Sequence, residues 1–257
     1  RNCATRKGMG TSYAIKLLKK DIESFKKYDK FYFLKLDISK YFYSLDHEVI
    51  ISIIKQDLTQ DELNLVKIIL DSTNKEYINK KIEYLEKKYN VILPKYEYKK
   101  GLAIGNLSSQ FLAILYLSKL QHYITNNLHI KFINYMDDYI LIHNSKEYLK
   151  DSLELIENKI NNEYKLKLNN KKTIISNSNQ GISFLGYTFR VKNNKTIIKL
   201  SSNTKKNIRK GIKRANYLYK NNIIKFNQYF SSIECFKNNY IFVNKDKVKH
   251  FIDRYNG

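Results

Sequence analysis

Apolar positions change their period along the chain, and each period predicts an element. Residues 31–38 (FYFLKLDI) are aromatic and aliphatic with partial alternation, which predicts a strand. Val49, Ile50, Ile53 and Ile54 fall on one face of a helix. Thr59 and Glu62 form a capping box before a second helix carrying Leu63, Val66, Ile69 and Leu70. Residues 72–100 are charged, tyrosine-rich and poorly patterned, and read as a solvated insertion with one short helix aligning Ile78, Ile82, Leu85 and Tyr89. A glycine-marked turn, Gly101-Leu102-Ala103-Ile104-Gly105-Asn106, runs into Leu107–Ile124, where Leu107, Phe111, Ile114, Leu115 and Leu117 predict a buried helix. Apolar wings at 131–136 and 139–142 flank Asp137-Asp138 in a hairpin pattern. Ser145 can cap a helix presenting Leu149, Leu153, Ile156 and Ile160. Short strands follow at 182–189 and 196–200, then a helical, basic C-terminal part. The whole reads as α+β, with strands and helices alternating around one mixed sheet.

Composition agrees with a folded chain. Its 257 residues are long enough for a sizeable core, and hydrophobic residues at 43%, charged at 28% and aromatic at 14% argue against disorder. No run is long enough to span a bilayer, and no charged-then-apolar leader is visible. The first residue is Arg1 rather than Met, which fits a piece of a longer polypeptide. Cys3 and Cys235 are the only cysteines, too few for a disulfide framework or a cysteine zinc site, so a reduced, cytoplasmic setting is expected. The net charge of +23 changes the picture most. A field that strong draws polyanions, which makes nucleic acid the expected partner ahead of a membrane surface, for which no amphipathic helix stands out.

The candidate chemistry lies in carboxylates. Asp137 and Asp138 occupy a hairpin tip, where Asp is also a common turn residue. Asp37 ends a second apolar strand, where it either answers a cation structurally or belongs to the same site. Hard cations such as Mg2+ take oxygen ligands and keep several waters, so two or three carboxylates plus substrate phosphates suit them. Two such ions can activate a primer hydroxyl and stabilise a leaving pyrophosphate.

These residues also resemble known motifs in a fixed order. Asp37-Ile38-Ser39-Lys40-Tyr41-Phe42 is similar to motif A of reverse transcriptases, residues 101–110 to motif B and Tyr135-Met136-Asp137-Asp138 to motif C. Leu166 through Thr173 resembles motif D, and Phe184-Leu185-Gly186-Tyr187 the primer-grip motif E. Asn2-Cys3-Ala4 with Gly8 and Gly10 resembles an upstream fingers motif. The resemblance implies a right-hand polymerase palm, an antiparallel sheet backed by helices, with partial fingers and a short helical thumb. Residues 1–190 would hold fingers and palm (palm mainly 31–55 and 99–190, finger elements 1–30 and 56–98), and 191–257 the basic thumb. Earlier finger strands are expected to lie outside the chain.

Roles follow by resemblance. Asp37 and Asp137 would be the main ligands of two Mg2+ ions (Mn2+ able to substitute), with Asp138 the third carboxylate and Ile38 in the ligand set. Phe42 holds the steric-gate position that excludes ribonucleotides, or is a core aromatic. Ile104, Gly105, Gln110, Arg6 and Lys7 would face the incoming nucleotide. Lys172 matches the lysine that protonates pyrophosphate, with Lys171 beside it leaving the register open. Lys205, Lys206, Arg209, Lys210, Lys213 and Arg214 form one helical stripe after a cap at Ser202-Asn203-Thr204, either a solvated face or a duplex-phosphate surface. Tyr217 and Tyr219 either pack against sugars or belong to the core.

Motif B departs from the usual Pro-Gln-Gly, reading Ala103-Ile104-Gly105. This form resembles the enzymes of diversity-generating retroelements and some phage-defence relatives, and an apolar residue in place of Gln implies weaker base discrimination. Retron elements are not found. The expected activity is RNA-directed DNA synthesis, with RNA template, DNA or RNA primer, dNTPs and an accessory nucleic-acid-binding subunit as partners. Protein-primed or untemplated synthesis, or a maturase-like RNA-binding role without polymerisation, are the alternatives.

Overall fold

The computed structural model describes residues 2–238, 240, 242–243 and 245–255. The chain divides into two compact units, 1–176 and 177–257. The boundary expected at 190 falls inside the second unit.

In the first unit, α1 (Thr11–Phe25) precedes β1 (Tyr32–Asp37), a single turn α2 (Tyr41–Ser44), α3 (His47–Ile54) and α4 (Gln60–Asp71). Then come α5 (Glu76–Tyr89), α6 (Leu107–Tyr116), α7 (Ser118–Asn126), β2 (Lys131–Tyr135), β3 (Asp138–His143), α8 (Lys146–Asn162) and β4 (Ile174–Asn177). The sheet runs β2-β3-β1-β4, with β1 and β2 both antiparallel to β3. α1 covers β2 and β3, α7 lies against β2, and α8 lies against β1 and β3. With both faces covered, β1 and β3 bury residues of both faces: Phe33, Leu34 and Leu36 on one, Tyr139 through Ile142 on the other. Each such side chain contributes about 1.5–3 kcal/mol by leaving water.

Local signals start the helices where expected. The capping box of Thr59 and Glu62 is formed, and Ser145 accepts from Tyr148 N at 3.1 Å. Asp46 caps α3 through Glu48 N and Val49 N. The poorly patterned insertion contains α5, which buries none of its residues.

Three expectations are corrected. Leu107–Ile124 is two helices that meet at Leu117, whose backbone (φ −100°, ψ 11°) leaves the helical region. The buried face of α6 is Ser109, Leu112, Ala113 and Tyr116, so Leu107 and Phe111 stand 80% and 61% exposed. Their apolar character hid the phase of the helix. The strands form two sheets, not one: the second unit has its own, β5 (Ile182–Phe184), β6 (Tyr187–Lys192) and β7 (Lys195–Leu200) in sequential antiparallel order. Residues 182–189 are accordingly a hairpin, reversed at Leu185-Gly186, both with positive φ (46° and 85°).

Three helices complete the second unit: α9 (Ser202–Lys220), α10 (Phe226–Asn238) and α11 (Lys245–Asp253). The cap of α9 is Ser201, one residue before the expected stretch, accepting from Thr204 N at 3.1 Å. A Cβ on Gly211 would meet the Phe236 ring at 2.4 Å, so glycine permits the close approach of α9 to α10.

Candidate active site

The first-unit sheet brings the carboxylates together through register alone. Asp37, the last residue of β1, lies directly opposite Asp138, the first of β3, and Asp138 also pairs with Tyr135 of β2. Asp137 sits in the turn between. Met136 takes φ 57° there, and the Asn134 side chain supports it by donating Nδ2 to the Met136 carbonyl at 3.1 Å. Asn134 is itself buried, and its carbonyl accepts from Cys3 N at 2.9 Å, tying the N-terminal segment to the turn. Beyond β1, Ile38 bridges Leu168, Ser39 N donates to the Lys167 carbonyl and Asn169 N to the Asp37 carbonyl (2.9 and 2.8 Å). Motif D thus flanks motif A.

Like charges directly opposite one another on a sheet repel. Burial pushes the Asp137 carboxyl up, and the neighbouring charges of Asp138 and Asp37 push the same way. Burial also raises Asp138, against the pull of Lys35. Two lysines answer the cluster: Lys35 Nζ lies 2.8 Å from Asp138 Oδ1, and Lys172 Nζ 3.4 Å from Asp37 Oδ2. Among the described residues no group of three or more His, Cys, Asp or Glu is gathered to hold an ion. Asp138 and Asp37 thus each face a lysine, and Asp137 lies in the turn beside them. Asp37 and Asp137 are hard oxygen donors under mutual repulsion, a fit for a divalent cation that completes its shell with phosphates and water. The Ile38 side chain is hydrocarbon, so only its main-chain oxygen is a ligand of the right kind.

The sheet also gathers two more motifs. Phe42, half-buried in α2, accepts at its carbonyl from Leu102 N (2.7 Å), and Leu45 accepts from Gly101 N (2.8 Å). The Tyr41 hydroxyl donates to the Ala113 carbonyl of α6 at 2.5 Å. Motifs A and B are therefore fastened by backbone, with Phe42 edge-on to Tyr41 at 5.9 Å. Ile104 stands 62% exposed at the turn and Gly105 takes φ 103°. Gln110 is half-buried on α6. Arg6 is exposed and shares a cavity of about 670 Å³ with Phe111, Ile114 and Leu115 of α6. Lys7 is exposed.

In the second unit, Phe184 and Tyr187 are core residues, and Tyr187 packs edge-on to Tyr240 and Phe242. Only Leu185 and Gly186 form the turn, whose Gly186 carbonyl accepts from Ser201 N and the Thr204 hydroxyl (2.9 and 2.8 Å). On α9, Ile208, Ile212 and Ala215 are buried, while Lys206, Arg209, Lys210, Lys213 and Arg214 are exposed and Lys205 half-buried. The Arg209 guanidinium stacks on Phe251 and Tyr255 (5.3 and 4.9 Å), so part of the stripe is already partnered. Tyr217 and Tyr219 are exposed, and Tyr219 stacks on Tyr229 at 4.8 Å.

Sequence reasoning passed over Lys35 and Asn134. The signal for each was a polar residue inside an otherwise apolar strand.

Comparison with known proteins agrees with this geometry. The sequence profile described as reverse transcriptase (RNA-dependent DNA polymerase) matches residues 4–189. The chain is 40% identical over 81 residues to the group II intron-encoded protein LtrA of Lactococcus lactis subsp. cremoris, covering 30% of this chain and 13% of that protein, and equally to its counterpart from strain MG1363. Among solved structures, apo telomerase from Candida tropicalis truncated from its C-terminal domain matches at TM-score 0.51 and 20% identity, over 75% of this chain and 40% of that one. The same organism's telomerase with a fragment of telomeric RNA matches at TM-score 0.51 and 17% identity, over 99% and 41%. At such identities the likeness is one of fold. No described helix is long and apolar enough to cross a membrane.

Proposed function

The chain belongs to the reverse transcriptase family, and from that premise we propose that it adds deoxynucleotides to a primer on an RNA template. The observation that carries this reading is the register pairing of Asp37 with Asp138, with Asp137 at the adjoining turn and the Phe42 turn fastened to motif B. Asp37 and Asp137, with the Ile38 carbonyl, are the residues that would hold Mg2+ or Mn2+. When bound, such ions activate the primer hydroxyl and neutralise the leaving pyrophosphate. Phe42 would exclude the ribose 2′-hydroxyl, and Lys172, already beside Asp37, would deliver a proton to the leaving group. Arg6, Lys7, Gly105 and Gln110 would contact the nucleotide or its template partner. Leu185-Gly186 would hold the primer, and the free cations of α9 duplex phosphates without reading sequence.

The subtype is read from Ile104. An exposed apolar side chain where the family usually has Gln offers no hydrogen bond to the nascent pair, which supports low fidelity of the kind diversity-generating retroelements need. A dedicated accessory subunit belongs to the same reading.

Primer extension on defined RNA and DNA templates tests both levels. Template-dependent product should fall by about a thousandfold or more in Asp137→Ala. Nucleic-acid binding without extension in the wild type would replace the polymerase reading with a binding role. Ile104→Gln should lower misincorporation, and an unchanged error spectrum would remove the low-fidelity claim.

A further inference from the structure

The two lysines at the carboxylates differ in a way that the family motifs do not describe. Lys35 and Asp37 lie on one face of β1, and their partners Ile140 and Asp138 lie on the same face of β3. Along this face Lys35 has fully buried Phe33 behind it and fully buried Ile140 across from it. The long side chain therefore runs diagonally toward the turn and meets Asp138, a reach that diagonal neighbours permit. The pair is largely enclosed, with side-chain exposures of 17% for Lys35 and 26% for Asp138. Lys172, by contrast, is 64% exposed where it meets Asp37. An ammonium as shielded as that of Lys35 loses more by leaving its partner than one open to solvent does. An exposed one exchanges freely with water or an incoming cation.

We infer that Lys35 is a positioning residue of this site: it holds Asp138 as a fixed, neutralised carboxylate, so that the divalent-ion site is built by Asp37 and Asp137. Lys172 is the displaceable cation that vacates Asp37 when the ion arrives. The site thus has one permanent and one temporary counter-charge. Lys35 keeps the strand ends from splaying under like-charge repulsion, and it stops Asp138 from drawing the ion away from the reacting atoms. The inference rests on the polymerase reading for its kinetic consequence, but not for its binding consequence.

The test uses the full chain with Mn2+ as the probe, free ion being counted by electron paramagnetic resonance, alongside primer-extension kinetics. In Lys35→Met, Asp138 becomes a spare donor. Mn2+ should bind about fivefold more tightly, while kcat falls by about 10–100-fold with little change in the KM for dNTP. Lys35→Arg should recover most of kcat. The double variant Lys35→Met/Asp138→Asn leaves neither charge of this pair unpartnered and so serves as the folding control for Lys35→Met. Its Mn2+ affinity should stay within about twofold of wild type, and a loss of about tenfold would make Asp138 a ligand and overturn the inference. Equal Mn2+ binding by wild type and a folded Lys35→Met overturns it as well. If the wild type extends no primer yet the Mn2+ affinities move as stated, the polymerase reading fails and the role of Lys35 stands.

Discussion

Lys35 on the β1–β3 ladder and the lysines around α5 have the same chemistry and opposite surroundings. On the ladder, Lys35 lies between fully buried Phe33 and Ile140 and meets one carboxylate at 2.8 Å. Around α5, Lys80 meets Glu76 and Lys95 meets Glu83, also at 2.8 Å, but with side chains 46–82% exposed. The return strap over residues 91–98 is held by polar bonds: Asn79 to the Tyr96 backbone at both ends, and Glu86 to Leu93 N. Equal distances thus conceal unequal energetics. In the ladder a lost partner strands a charge, whereas around α5 water replaces it. Stability in the first unit resides in the sheet, and the excursion is attached to it by bonds that cost little to break.

The comparison is sharpest if broken on the ladder side. Leu36→Ala removes a fully buried side chain between Lys35 and Asp37 and opens a cavity under the site. The expected loss is about 2–5 kcal/mol of unfolding free energy, measured by urea titration. A loss below 1 kcal/mol would mean that the ladder is not the unit's stable part.

Charge in the turn at the end of the ladder has the opposite sign of effect. Asp137 is pushed up by burial and by its neighbours, so folding favours its protonated form. Stability from such a group is fully present below the ordinary carboxylate range and is lost as pH rises through the raised value. Asp137→Asn should therefore be more stable than wild type at neutral pH, and the advantage should vanish in acid below the ordinary carboxylate range. Thermal melts at both pH values check this, and an advantage that persists in acid would refute it. The same substitution should abolish extension, so stability and activity part company at the site.

How much of this could be read beforehand follows the same division. β1, β2 and β3 were legible because they are mostly aromatic and aliphatic, with a hairpin pattern around Asp137-Asp138, and Thr59, Glu62 and Ser145 mark helix starts with local chemistry. The carboxylates were legible as a set, because hairpin tip and strand end are sequence-local features. Lys35 was not, since its partner depends on cross-strand register, which the turn geometry sets and no local pattern announces. Leu107 and Phe111 misled because apolar residues on the exposed face of α6 mimic its buried one. β4, short and half-exposed, has no alternation to read. The bonds of Asn79 to Tyr96 join residues far apart in sequence, so the order around α5 was invisible in a window that reads as solvated.

The smallest effect closes the comparison from the other side. Lys95 meets Glu83 at 2.8 Å and Glu86 at 3.9 Å, the geometry that on a buried strand would be costly to disturb. Here both Lys95 and Glu83 are open to solvent, the pair is screened by salt, and holding two long side chains costs entropy. Lys95→Ala should barely move the unfolding midpoint, and should move it less at high salt. Urea titration at low and high salt would show it. A salt-independent loss as large as that of Leu36→Ala would place α5 in the folding core after all, and the division between the ladder and the excursion would fall with it.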